Sequence, residues 1–307
     1  MTPIRQRFTA LAAALMLLCP PAHGASTIVL IEGLGGNERY EQEFSAQIEA
    51  IAEVVVSLAP VPAVMTFRAG ATRDTILEYF ATLEETMSAD DQLTVYLIGH
   101  GSYDDHEYKF NIAGPDLTDA DILEALQGAP TERQVLINTS SASGAGTELW
   151  QDDERIVVTA TRSGAERHAT RFGMRFIAAL GNESADLDKN NIITVQEAFD
   201  FADRAVRDFF EAEGRLATEH AVLTGSAERA GRISLARLGA TRTTIADTEL
   251  SRLNEQRDEI NGSIERLRSS RGTIDDAQYQ DRLLSIMLEL AEVEEAIERR
   301  EAELADE

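Results

Sequence analysis

The chain has 307 residues, of which 43% are apolar and 27% charged, a globular balance that excludes a disordered or collagen-like polymer. It carries 54 acidic against 28 basic side chains, a formal net charge of −26. That charge excludes a nucleic-acid partner, because phosphate binding needs a basic face. The single cysteine excludes an intramolecular disulfide.

The chain begins as an export signal does. Arg5 and Arg7 precede an apolar run from Phe8 to Cys19, then Pro20, Pro21 and the small-residue stretch Ala22-His23-Gly24-Ala25. The run is too short to span a membrane, and the order of charge, apolar run and small residues predicts cleavage after Gly24. A lipid anchor on Cys19 is the rival reading, opposed by the bulk of Leu18; a retained N-terminal anchor is another. Cleavage removes Cys19 and both arginines, so the mature net charge becomes −28 and no thiol remains. The expected product is a periplasmic or secreted protein with no membrane attachment.

Ser26 to Glu32 (STIVLIE) predicts a buried strand, ended by Gly33-Leu34-Gly35-Gly36. Tyr40, Phe44, Ile48 and Ile51 then recur at helical spacing. A strand follows at Val61 to Phe67, and a helix at Thr72 to Met87 with Ile76, Phe80 and Leu83 inward. Leu93 to Ile98 (LTVYLI) predicts a third strand, ended by Gly99-His100-Gly101. A short helix at Asp119 to Leu126 precedes strands at Gln134 to Asn138 and Arg155 to Ala160. Strands alternating with helices at this spacing predict an α/β sandwich with a mostly parallel sheet. In such sheets the functional groups gather just past the carboxyl ends of the strands.

Two strand ends carry the chemistry. His100 follows a buried strand between two glycines, where Gly101 permits close backbone approach and its N–H could donate to an oxyanion. The strand ending at Asn138 runs directly into Thr139-Ser140-Ser141-Ala142-Ser143-Gly144. Strand–His-Gly, followed by strand–x-nucleophile-x-Ser-Gly, resembles the caspase, metacaspase and legumain superfamily of cysteine peptidases. Gly33, Gly36 and Tyr40 resemble a legumain-like Gly-Gly-Tyr pattern, and Thr159-Ala160-Thr161-Arg162 with Glu166 resembles the family's next strand and turn. The resemblance covers roughly Ser26 to Ala185.

It implies a caspase-like three-layer α/β sandwich, with a histidine and a cysteine side by side at neighbouring strand ends. Here the cysteine is missing. Alignment on Cys-x-Ser-Gly places Ser141 at its position, whereas counting from Asn138 selects Ser140. A thiol with a pKa of about 8.5 supplies thiolate near neutrality, while a serine needs a base within hydrogen-bond reach. Simple replacement therefore predicts a degenerate site, with an active serine hydrolase using His100 and Ser141 or Ser140 as the alternative. The legumain-like arginine that reads the substrate side chain falls at Glu41, so asparagine specificity does not carry over. Peptide or protein partners are what the resemblance implies.

Other polar residues carry less. Ser140, Ser141 and Ser143 also suit a polar turn, and His100 a packed loop residue. His106 sits in a solvated charge run, His168 and His220 lack a partner pattern, and Trp150 suits packing. The spacing of Gly33-Leu34-Gly35-Gly36 matches no phosphate loop, which argues against a nucleotide site.

Asp186 to Glu197 (DLDKNNIITVQE) has the spacing of a twelve-residue EF-hand calcium loop. Asp186, Asp188 and Asn190 fall at positions one, three and five, and the Ile192 carbonyl at seven. Thr194 can hold a water at nine, and Glu197 supplies two oxygens at twelve. Asn191 replaces the usual glycine at six and is the next-best residue for a left-handed backbone. Phe172, Phe176 and Leu180 before the loop, with Phe199, Ala202, Val206 and Phe209 after it, predict flanking helices. The stretch Gly214 to Ala221 resembles a segment of bacterial legumain-like chains without indicating a chemistry.

From Asp247 to Glu307 there are 18 acidic residues, eight arginines and no lysine. Leu250, Leu253, Ile260, Ile264 and Leu267 alternate in threes and fours, as do Leu283, Ile286, Leu290, Val293, Ile297 and Leu304. Ser269-Ser270-Arg271-Gly272 divides them. This predicts a helical hairpin or a coiled coil, the latter joining copies into a homo-oligomer. The expected organisation is a signal at 1–24, the α/β domain at 25–239 and an acidic helical segment at 240–307.

Overall fold

The computed structural model describes residues 24–58, 60–238 and 275–305, together with residues 252, 253, 256, 257, 260, 263, 264 and 267. Residues 1–23 of the expected signal, the expected boundary near residue 239 and the expected helix stop at 269–272 lie outside the described residues. No described helix is long and apolar enough to cross a membrane.

The chain is α/β with a mostly parallel central sheet. Its six strands are β1 (Ser26–Glu32), β2 (Ala63–Phe67), β3 (Gln92–Ile98), β7 (Arg133–Asn138), β8 (Arg155–Thr159) and β10 (Val222–Thr224). They lie in the order β2-β1-β3-β7-β8-β10, parallel throughout except for β10, which runs antiparallel to β8. The inner strands read as unbroken apolar runs because both faces are covered. Ile28 and Leu30 of β1 enter one core; Val29 and Ile31 enter the other. Tyr96 and Ile98 of β3 follow the first pair, while Val95 and Leu97 follow the second. This period of two places a layer of side chains on each face and makes three layers.

Helix α1 (Glu38–Val55) covers the first face with α5 (Phe172–Ala179) and α6 (Val195–Ala212). Helices α2 (Arg73–Thr86) and α3 (Asp119–Gly128) cover the second, with the short α4 (Thr147–Trp150). Their start points are local. Asn37 and Thr72 cap α1 and α2, and Thr118 with Asp121 forms a capping box on α3. Periodicity misses the short pieces: β4 (Gly101–Tyr103), β5 (Tyr108–Phe110) and β6 (Leu117–Thr118) form a three-stranded antiparallel sheet beyond the end of β3. A further pair joins β9 (Ile192–Thr194) to β11 (Ser234–Arg237).

The acidic tail ends in a helix, Asp276–Ala305. Leu253 and Ile297 are buried together, with Val293 and Ala296 against them. Leu253 of the first heptad segment thus meets the C-terminal helix within one chain.

Candidate functional site

Register brings the two strand ends together. β3 and β7 are neighbours with Leu97 opposite Asn138, and the Thr139 N–H donates to the Leu97 carbonyl at 3.0 Å. Gly101 therefore lies directly on the serine turn. The Ser141 hydroxyl donates to the Gly101 carbonyl at 2.9 Å and accepts from the Gly101 N–H at 3.3 Å. A Cβ placed on Gly101 would lie 2.5 Å from the Ser141 carbonyl oxygen, 2.6 Å from Ser140 Oγ and 2.7 Å from Tyr108 Cε2. Only glycine lets the two backbones approach this closely.

Each serine has a different set of partners. Ser140 is fully buried; its Oγ lies 2.6 Å from the Tyr108 hydroxyl and donates to Asn138 Oδ1 at 2.8 Å. Asn138 Nδ2 donates in turn to the Tyr108 hydroxyl at 2.9 Å. Burial pushes the Tyr108 phenol above its ordinary range, so it stays protonated and cannot serve as a base. Ser143 Oγ accepts from the N–H groups of Ala160 and Thr161 at 3.1 and 3.3 Å, tying the turn to the end of β8. Ala142 between them adopts φ 56°, a left-handed conformation that turns the chain sharply.

The His100 ring faces α1. It packs edge-on against Tyr40 at 4.6 Å and Phe44 at 5.0 Å. Burial lowers its pKa, opposed by a hydrogen bond to the Gly35 backbone and by the charge of Glu43. The imidazole is accordingly neutral near pH 7, as a general base must be. Among the described residues, however, no hydrogen bond joins this ring to Ser140 or Ser141. The structure apposes the backbones of the two strand ends and leaves the base uncoupled from both hydroxyls.

Residues beyond the two strand ends complete the surroundings. The Glu166 carbonyl accepts from the Ala142 N–H at 2.9 Å, fixing the far side of the serine turn. Its carboxylate accepts from the Arg162 N–H at 3.0 Å and the His220 N–H at 3.1 Å, and lies 2.6 Å from His220 Nδ1. His220 thus has the partner that its local sequence hides. Glu219 beside it is buried and accepts from the N–H groups of Arg171 and Phe172, capping α5. Burial raises its pKa against those hydrogen bonds. Glu219 and His220 both belong to the Gly214–Ala221 stretch. Trp150 is fully buried, donates to the Asp119 carbonyl at 2.9 Å and meets Tyr108 edge-on, a packing role.

The acidic loop lies between α5 and α6. Carboxylate oxygens of Asp186, Asp188 and Glu197 all fall within 4.8 Å of one another. Asp186 accepts from the N–H groups of Asn190 and Asn191, and Asn190 Oδ1 accepts from the Ile192 N–H at 2.7 Å. Asn191 takes φ 61°, the left-handed turn expected at position six; Lys189 does the same. Thr194 and Glu197 form a capping box at the start of α6, with Glu197 Oε2 accepting from the Thr194 N–H at 3.0 Å. Glu197 Oε2 also accepts from the Thr194 hydroxyl at 2.8 Å and Oε1 from the Leu187 N–H at 3.0 Å, so of about four lone-pair sites one, on Oε1, is left for a cation. Burial, with the charges of Glu197 and Asp186, raises the Asp188 pKa. Ile193, the apolar position eight, pairs through β9 with β11 of the same chain rather than with a second such loop.

The chain matches no known family model and no curated protein.

Proposed function

We propose that this chain is an exported caspase/legumain-like peptidase homologue with a degenerate site, acting as a calcium-stabilised binding or scaffold module. The observation that carries this reading is the reciprocal hydrogen-bond pair between Ser141 and Gly101. A histidine loop lying against a serine turn at neighbouring strand ends supports the resemblance. Yet the Gly101 N–H already donates to Ser141 Oγ, and among the described residues that hydroxyl donates to the Gly101 carbonyl rather than to a base. Ser140 is further from reactivity, being buried in a network that a protonated phenol closes.

Asp186, Asp188, Asn190, Thr194, Glu197 and the Ile192 carbonyl fit a hard cation through oxygen donors alone, and calcium suits that donor set. When bound, the ion would stabilise the junction of α5 and α6 by neutralising three clustered carboxylates. The residues themselves orient the loop: Asn190 and Asn191 set its turn, and the capping box anchors Glu197 to α6.

A fluorophosphonate probe tests the catalytic part on purified mature protein. The expected result is no stoichiometric labelling. Stoichiometric labelling that Ser141→Ala or Ser140→Ala abolishes would establish the alternative, an active serine hydrolase using His100.

A further inference from the structure

The C-terminal helix carries two apolar stripes. Leu283, Ile286, Leu290, Val293 and Ile297 lie on the side that meets Leu253. Leu284, Met287 and Leu288 project elsewhere and are 62%, 48% and 59% exposed. With exposed Ala291 they occupy successive i, i+3, i+4 and i+7 positions, a continuous apolar strip on the helix. Among the described residues nothing covers it.

Charge decides what could. Between Asp276 and Ala305 stand nine carboxylates against three arginines. Asp281 and Glu292 flank the strip on one side, Glu294 lies on the other, and Glu295, ion-paired to Arg299 at 3.1 Å, follows it one turn beyond Ala291. A second copy fits poorly. Antiparallel pairing about the middle of the strip would set Asp281 near Glu292 of the second copy, and parallel pairing would set Glu292 near the second copy's Glu294. Like charges so placed are destabilising, and the net charge of −26 adds to the repulsion. A helix with an apolar stripe bordered by lysine or arginine meets both requirements at once.

We infer that this strip is a docking site for a cationic amphipathic helix of another protein. The inference goes beyond the degenerate-site reading and does not depend on it, since the strip lies in the tail.

The test uses the full mature chain and a synthetic Leu/Lys amphipathic peptide of about 15 residues, long enough to form a helix on contact. A scrambled peptide of identical composition, without an apolar stripe, controls for bulk charge. Titration calorimetry should show binding of the patterned peptide. The doubly substituted Leu284→Gln, Leu288→Gln chain should bind at least about tenfold more weakly, because each leucine loses apolar burial worth more than that factor. Both positions are exposed, so folding should be unaffected, and circular dichroism checks this. Reversing the rim with Asp281→Lys and Glu292→Lys should weaken binding independently. Equal binding of the scrambled peptide, or equal binding by the apolar double variant, overturns the proposal. So does a dimer in light scattering that the apolar double variant converts to monomer, because a second copy would then be the occupant.

Discussion

Ser141 and Gly101 hold each other through two hydrogen bonds, the serine hydroxyl donating to the glycine carbonyl and accepting from the glycine N–H. Forty positions separate them in sequence, and parallel pairing of β3 with β7 makes them neighbours. A side chain that would have to attack a substrate is instead closing the backbone of the adjacent loop. That gives the hydroxyl a measurable structural role.

Ser141→Ala should therefore destabilise the fold by about 1–2 kcal/mol, since it strands a partly buried donor and acceptor on Gly101. Urea denaturation of the two proteins measures it. A midpoint unchanged within error would mean that water satisfies Gly101 as well as the hydroxyl does.

Gly101→Ala should cost more than Gly128→Ala. The added methyl at 101 meets Ser141, Ser140 and Tyr108 at 2.5 to 2.7 Å, whereas at 128 nothing lies within 4 Å. Overpacking of this kind costs typically about 1–3 kcal/mol, while a glycine replaced at an unstrained position is neutral or slightly favourable. Thermal unfolding of both variants gives the comparison directly, and equal melting temperatures would contradict the close apposition of the strand ends.

Calcium should raise the melting temperature, and Glu197→Gln should remove most of that gain. An ion bound only by the folded loop stabilises it by mass action, by about 2.7 kcal/mol at one hundred times the dissociation constant. The isosteric amide keeps one oxygen for the Thr194 capping bond but turns its NH2 toward the Leu187 N–H, which Glu197 Oε1 accepts at 3.0 Å, so the calcium-free protein should also lose about 1–3 kcal/mol, and the comparison rests on the calcium-induced gain of each protein. Identical melting curves in calcium and in chelator would reject the metal assignment.

The pH dependence of stability should carry a contribution from His100. Its folded pKa lies below the ordinary value, chiefly through burial against Tyr40 and Phe44. As pH falls, the unfolded chain takes up the proton first, so the contribution is intact above the unfolded pKa near 6.5 and is lost as pH drops through the lower folded value. Denaturation between pH 8 and pH 5 should show a shallower loss for His100→Gln than for the native chain. The same slope in both would mean the ring is more solvated than its contacts with α1 indicate.

Much of this architecture is legible in the chain itself. β1, β3, β7 and β8 announce themselves as apolar runs ending in glycine or small polar residues, because a parallel strand covered on both faces tolerates little else. The acidic loop is legible for a different reason: its oxygen-bearing side chains fall within twelve consecutive residues, so local spacing contains nearly the whole candidate ligand set. The heptads of the tail specify one seam, and Leu253 against Ile297 is that seam realised within the chain. The second strip, at Leu284 and Leu288, escapes the heptad count because it lies off the a and d positions.

Only the tertiary structure decided what the strand ends do. Sequence spacing places His100 and Ser141 at the same edge of a sheet, but it carries no information on side-chain rotamers. The ring turns to Tyr40 and Phe44, and the hydroxyl to Gly101, because close packing selects those contacts among several that the backbone allows. Glu166 finds His220 across 54 positions, and Glu219 finds the start of α5 across 47 and 48. Residue type and periodicity act over one or two turns. Partners chosen at such separations depend on sheet order and register, which the strands acquire only by pairing.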